Sequence, residues 1–377
     1  MKAVFRVDSS AQMGIGHLMR CLALADALRD SGVQAEFISR QLTGHTISQT
    51  EQRGYRVYPL PAPVEPLSSL QNTGLRHQAW LGCSQAEDAA QCAPILQQIK
   101  PDWLIVDHYA LDIEWENALT PYRKQLMVID DLADRPHNCN LLLDQNWFSA
   151  STQSRYDPLV PADCVKMLGP AFALLKPEFS QLRLLLPAKD GYIRRVLVSM
   201  GGSDPSNETL KVLRALMQPE LQHLVVDVVC GVNHQDMKAI EDMAAQRGAT
   251  NIYRSLPTLS GLMARADLMI GAGGTTTWER MCLGLPAIVI SLAANQYQPN
   301  LSLAQDGYIL FAGPKEEVTI EKLQQLICSL TDNRNLYLQL SQAAQILVTG
   351  TGINQVVNTV KNLSRRYGSS YGTSSTD

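Results

Sequence analysis

Short, β-branched apolar runs recur along this chain, each followed by a longer amphipathic stretch, and that alternation constrains the fold more than any single motif. It is the signature of repeated βα units around parallel sheets, so the fold class is α/β. In the first half, Ala3 to Val7, Ala35 to Ser39, Trp103 to Asp107, Leu126 to Ile129 and Leu141 to Leu143 read as strands. His17 to Ser31 carries apolar residues at helical spacing, and Gly32 ends it. Tyr58 to Gly74, holding Pro59, Pro61, Pro63 and Pro66, is the least regular part and is expected to be a surface loop.

A second series follows the turn-forming segment Pro187-Ala188-Lys189-Asp190-Gly191. Strands are expected at Val196 to Met200, Leu224 to Cys230, Asn251 to Tyr253, Leu268 to Gly271, Ala287 to Ser291 and Ile309 to Phe311. Helices are expected at Asn207 to Met217, Asp236 to Arg247, Thr277 to Leu283 and Ile320 to Thr331. The chain therefore divides into two Rossmann-like domains, residues 1–187 and 188–365, with a tail at 366–377 too poor in apolar residues to order.

The 377 residues, 45% hydrophobic and 18% charged, are enough for two cored domains. A net charge of −4 gives no basic footprint for nucleic acid or an anionic membrane, which leaves small-molecule chemistry as the expectation. The eight cysteines are scattered without a C-x-x-C pair, so neither a zinc site nor a disulfide framework is expected. Charged residues interrupt the N-terminus before a signal-peptide core forms, and no apolar run approaches the roughly 18 residues of a membrane span. A reducing cytoplasm is the expected compartment. Oligomeric state is not legible.

Three glycine-rich segments stand at strand-to-helix junctions. The first, Asp8 to His17, contains Gly14 and Gly16; glycines permit close backbone approach, and amides at a helix start can meet an anion. It serves either a ligand or only a tight turn with His17 solvated. The helix dipole opposes positive charge on a ring at that position, which suits a general base. Asp8, on the same loop, is a candidate to orient the imidazole. The second junction, Ser199 to Pro205 with Gly202 and Ser203, is a diphosphate cradle or a capped βα turn. The third, Ile270 to Glu279, adds the hydroxyls of Thr275, Thr276 and Thr277 beside the free amides of Gly273 and Gly274. Glu279, one turn further, either accepts hydrogen bonds from ribose hydroxyls or compensates the dipole. Ala293 to Asn300 offers the carboxamides of Asn295 and Gln296 to sugar hydroxyls, or is a polar turn.

Asp107-His108-Tyr109 and Asp130-Asp131 also end strands, the usual ligand edge of an open α/β sheet. The adjacent carboxylates hold a divalent cation, cap turns or pair with arginine; the last two are the commoner outcomes. His45, His77, His137, His223 and His234 show no partner pattern and are given surface or structural roles.

Phe5 to Ser10 with Gly14 to His17, Val106 to Tyr109, Ile129 to Arg135, Leu142 to Asn146, Gly169-Pro170 with Leu174 to Phe179, Met200 to Asp204 and Gly271 to Glu279, in that order, closely resemble the UDP-2,4-diacetamido-2,4,6-trideoxy-β-L-altropyranose hydrolases of pseudaminic acid biosynthesis. The resemblance implies a GT-B-type fold, two Rossmann-like domains facing across a cleft, and hydrolysis of a UDP-sugar by water without metal or cofactor. It implies that His17 is the base and that Asp8, Gly14, Gly16, Tyr109, Asn295 and Gln296 lie near the sugar. UDP would be held by Gly202, Ser203, Gly274, Thr275 and Thr276, with Glu279 on the ribose and the Leu256 backbone on uracil. A glycosyltransferase of the same fold, and a silent nucleotide-sugar sensor, are the rival expectations.

Overall fold

The computed structural model describes residues 1–63, 74–202, 204–231, 234, 236–254 and 256–370, with 367–370 described for their backbone alone. They form two compact units: residues 1–146 and 150–174 with 351 onward, and residues 147–149 with 175–350.

The first unit is built on β1 (Lys2–Val7), β2 (Gln34–Arg40), β3 (Arg56–Leu60), β4 (Trp103–Asp107), β5 (Gln125–Ile129), β6 (Leu141–Asp144) and β7 (Val165–Leu168). Its strands lie parallel in the order β3-β2-β1-β4-β5-β6-β7 among the described residues. Helices α1 (Gly16–Asp30), α2 (Ile47–Gln52), α3 (Gln85–Ile99) and α4 (Ile113–Ala118) belong to the same unit. The side-chain period of two sends Ala3, Phe5 and Val7 of β1 to one core and Val4 to the other, so the sheet is buried on both faces.

The second unit repeats the plan with β8 (Arg195–Ser199), β9 (Val225–Cys230), β10 (Thr250–Arg254), β11 (Leu268–Ala272), β12 (Ala287–Ser291) and β13 (Leu310–Pro314), ordered β10-β9-β8-β11-β12-β13 and parallel. Its helices are α5 (Pro177–Leu185), α6 (Glu208–Ala215), α7 (Met237–Arg247), α8 (Ser260–Arg265), α9 (Thr276–Cys282), α10 (Ala294–Gln305), α11 (Ile320–Thr331) and α12 (Arg334–Leu347).

Strand order reverses between β1 and β4 in one sheet and between β8 and β11 in the other. At such a switch point the loops beyond the strands' carboxyl ends diverge and leave a ligand crevice. The loops carrying His17 and Tyr109 flank the first reversal, and the two glycine-rich loops of the second half flank the other. Among the described residues no helix is long and apolar enough to cross a membrane.

Three sequence expectations are corrected. Tyr58 to Leu60 belong to β3, not to a loop; Pro59 is tolerated because β3 is the sheet edge, where a missing N–H costs least. Residues 64–73 of that expected loop lie outside the described residues. The boundary falls after Leu174 rather than at 187, and the final helix α13 (Gly352–Ser370) returns to the first unit. Its stripe of Ile353, Val356, Val357, Val360 and Leu363 packs into the core that holds α1, at the i, i+3, i+4 spacing of a one-sided helix. The expected tail is therefore helical to Ser370, and residues 371–377 lie outside the described residues.

Val356→Ala removes two fully buried methyl groups from that seam and is expected to cost about 2 kcal/mol. Amide exchange should accelerate in α1 and β1 while β8 and β11 are unaffected; equal acceleration in both units would contradict this assignment of α13.

Candidate active site

Beyond β1 the chain turns at Gly14, whose φ of +77° favours glycine, and the Gly14 amide donates to the Ser10 carbonyl at 2.8 Å. The turn delivers Gly16 and His17 to the first turn of α1. Asp8, at the start of this loop, is fully buried and already engaged. Arg6 Nη1 donates to it at 2.6 Å and the Arg40 amide at 2.7 Å, while His108 Nε2 lies 3.2 Å from its other oxygen. Burial would raise its pKa, but Arg6 and His108 outweigh that and hold the carboxyl well below the usual range. Asp8 therefore braces the loop, and it is not the partner of His17.

That partner is Asp107, at the end of β4. His17 Nδ1 lies 2.6 Å from Asp107 Oδ1. Arg20, three residues along α1 and so on the same face as His17, grips both oxygens: Nε donates to Oδ2 at 2.6 Å and Nη2 to Oδ1 at 2.7 Å. Burial alone would raise the Asp107 pKa; the Arg20 and His17 charges reverse the shift and hold it far below normal. An ionised carboxylate only accepts, so Nδ1 carries the proton and the lone pair resides on Nε2. Arg20 Nη1 also donates to Asp131 Oδ2 at 2.9 Å, joining the ends of β4 and β5 through α1.

Tyr109 packs its ring edge-on against His17, centroids 4.6 Å apart, and is buried. Trp80 stacks beside Tyr109 at 5.5 Å and meets His17 at 6.2 Å, and His77 completes the group at 4.5 Å from Trp80. Burial and the Asp131 carboxylate push the Tyr109 phenol well up, so it remains protonated. Asp130 pairs with Arg135 at 2.8 Å and accepts from the Ala133 amide and the Tyr156 hydroxyl. Asp130 and Asp131 thus follow the arginine-pairing alternative, and no metal-ligand cluster occurs among the described residues. His137 pairs with Glu116 at 2.6 Å and His234 lies 3.3 Å from Asp204, both buried structural contacts.

In the second unit, the loop after β8 exposes Gly202, while Asp204 accepts from the Glu208 and Thr209 amides and caps α6. Ser203 lies outside the described residues. The loop after β11 exposes Gly274 and leaves Thr275 and Thr276 half-buried at the start of α9. Gly273 must be glycine: a Cβ there would fall 1.9 Å from Asn300 Nδ2, which donates to Ser291 Oγ. Burial pushes the Glu279 carboxyl up to about 7, Lys176 opposing and Glu178 adding to the shift. Leu256 and Asn295 are exposed, whereas Gln296 is committed in part, its Oε1 accepting from the Leu292 amide at 3.0 Å.

The first unit therefore brings Gly14, Gly16, His17 and Tyr109 to one switch point, and the second carries Gly202 after β8 and Gly274, Thr275 and Thr276 after β11 at its own, with Glu279 further along α9 beside Lys176 and Glu178. Sequence reasoning quoted Asp107 without assigning it to His17 and missed Arg20, His77 and Trp80. Helical spacing from His17 was a usable signal for Arg20. The segment holding His77 and Trp80 has no periodicity to read.

Residues 196–357 match the glycosyltransferase family 28 C-terminal domain, which covers nearly all of the second unit and the start of α13. MurG from Acinetobacter baumannii superposes with a TM-score of 0.65 over 96% of this chain and 99% of its own, at 16% identity. The fold is of the GT-B type. In sequence, this GT-B chain is 24% identical over 310 residues to the UDP-2,4-diacetamido-2,4,6-trideoxy-β-L-altropyranose hydrolase of Campylobacter jejuni, covering 82% of this chain and 98% of that one. It is 30% identical over 196 residues to the spore coat polysaccharide biosynthesis protein SpsG of Bacillus subtilis, 52% of this chain. The chain spans 58% of the length of SpsG and 55% of that of another curated relative. The resemblance to the altropyranose hydrolases is thus borne out across most of the chain.

Selective ¹⁵N labelling should show the neutral His17 ring protonated at Nδ1 and pyridine-like at Nε2. Asp107→Asn, which offers an amide in place of a pure acceptor, should populate the other tautomer. An unchanged tautomer in that variant would contradict the pairing as described.

Proposed function

We propose that this protein hydrolyses a UDP-sugar at the anomeric C1–O bond, releasing UDP and a 2,4-diacetamido-2,4,6-trideoxy sugar of inverted configuration. That it is an enzyme acting on a UDP-sugar is supported by the name of the Campylobacter relative and by the glycosyltransferase family 28 domain. The observation that carries the finer reading is the Asp107–His17 pair, which leaves a basic nitrogen at the sheet's ligand edge. Water loses a proton to His17 Nε2 as its oxygen bonds to C1; the C1–O bond to the diphosphate breaks, and its electron pair leaves with UDP. Asp107 stabilises the imidazolium, and Arg20 keeps the carboxylate in place.

Diphosphate is a good leaving group, so backbone amides and hydroxyls suffice to meet its charge; Gly202, Ser203, Gly274, Thr275 and Thr276 are assigned that role. Glu279 is assigned to the ribose hydroxyls and the Leu256 backbone to uracil. Tyr109, Gly14, Gly16, Asn295 and Gln296 are assigned to the sugar side; Gln296 would act through its amide nitrogen. Asp8 is not retained, since it is fully buried, with Oδ1 taken by Arg6 and Arg40 and Oδ2 turned to His108 at 3.2 Å. A double-displacement route needs a carboxylate free to attack C1; Arg20 holds Asp107 through both oxygens and Asp131 through Oδ2.

The rival is an inverting glycosyltransferase, favoured by the family 28 domain, in which an acceptor hydroxyl replaces water. Purified protein incubated with the UDP-sugar in oxygen-18 water should release UDP without acceptor and place one label in the sugar. Release that requires an acceptor would establish the rival, and label in UDP would exclude attack at C1. His17→Asn should lower kcat roughly 10²- to 10⁴-fold with UDP affinity retained.

Ribose hydroxyls donate to an ionised carboxylate, so nucleotide binding should expel the Glu279 proton. Since that proton leaves near pH 7 in the free protein, affinity for the UDP-sugar should rise from pH 6 to pH 8 and then level. Calorimetry in the His17→Asn background would measure this, and Glu279→Gln should flatten the profile. The same slope in both proteins would remove Glu279 from the nucleotide site.

A further inference from the structure

His17 shares its corner of the first unit with three other rings. The Tyr109 ring plane stands at 85° to the imidazole, and the Trp80 plane at 79°. Trp80 and Tyr109 lie within 25° of parallel, so together they form one continuous aromatic wall beside the imidazole. His77 leans on both, 4.5 Å from Trp80 and 5.2 Å from Tyr109. Tyr109 is the buried member, whereas Trp80 is only half-buried and forms the outer part of the wall. His77 Nε2 is buried without a hydrogen-bond partner, and burial holds that imidazole's pKa below normal, opposed by Asp134. Beside a base that must address an anomeric carbon, the first unit thus offers ring faces where hydrogen-bonding groups would be expected for a fully hydroxylated sugar.

We propose that Trp80, supported by His77, is a specificity-determining contact that stacks on the apolar C–H face of the sugar and selects a sugar carrying a methyl group at C6 over one carrying a hydroxymethyl. The inference rests on the UDP-sugar reading above. An aromatic face gains from burying C–H groups and a methyl, but gives a hydroxyl no partner in exchange for the water it loses. An apolar wall discriminates against an added hydroxyl only moderately, so the expected preference is roughly tenfold to hundredfold.

The test compares the UDP-2,4-diacetamido-2,4,6-trideoxy sugar with its 6-hydroxy counterpart. Turnover is followed in the full chain, and affinity is measured by calorimetry in the His17→Asn background. Wild type should favour the 6-deoxy sugar in both measurements. Trp80→Leu should raise KM for it about tenfold with kcat changed little, and should shrink the preference to below threefold; Trp80→Phe should retain most of it. Affinity for UDP alone should be unchanged in both variants, and amide-exchange protection of β1 and β4 equal to wild type reports that the first unit is folded. A preference that survives Trp80→Leu, or a loss confined to kcat, would overturn the proposal and make Trp80 a structural prop for Tyr109 and His17. Failure of wild type to release UDP in water would sink the hydrolase reading instead, and the binding preference would still decide the role of Trp80.

Discussion

Carboxylates buried at the carboxyl ends of β1 and β4 and in α3 are the constraint on which the first unit depends. Asp8, Asp88 and Asp107 are fully buried, and a buried charge is tolerated only when charged and polar partners surround it. Arg6 and Arg40 both donate to Asp88, Arg6 also donates to Asp8, and the Trp115 indole adds a bond to Asp88 at 3.0 Å. Those bonds tie β1 and β2 to α3 and α4, and they fix where the loop after β1 begins. Removing one partner from such a network typically costs about 3–5 kcal/mol, so the loop has little freedom to drift.

A second arginine does for Asp107 what Arg6 does for Asp8, with a chemical consequence. The guanidinium of Arg20 fixes both oxygens of the carboxylate, the carboxylate fixes the tautomer of His17, and the tautomer decides which nitrogen is basic. The stability of the fold and the basicity of the site therefore come from the same ion pair. Arg20 also donates to Asp131, so one guanidinium ties the carboxylates that follow β4 and β5 to α1.

A GT-B fold places nucleotide-sugar chemistry within reach of either water or an acceptor hydroxyl, and the fold is indifferent to which of them attacks. The local geometry common to both is His17 paired with Asp107, a group of rings beside it, and glycine-rich loops at the switch point of the second sheet.

The chain's periodicity was enough to determine the α/β class, the two βα series and most strands, because a strand buried on both faces must be a short apolar run whatever surrounds it. The glycine-rich junctions and His17 were equally legible, since turns and helix starts are set by neighbouring residues. Tertiary structure alone decided the rest. Pro59 entered a strand because β3 fell at the sheet edge, and α13 joined the first unit because its apolar stripe found the core beside α1. Asp8 is adjacent to the His17 loop in sequence yet is taken by Arg6 and Arg40, while Asp107, ninety residues from His17, is its true partner. Hydrogen bonds follow distance in space, and only the pairing of β1 with β4 brings those two residues to 2.6 Å.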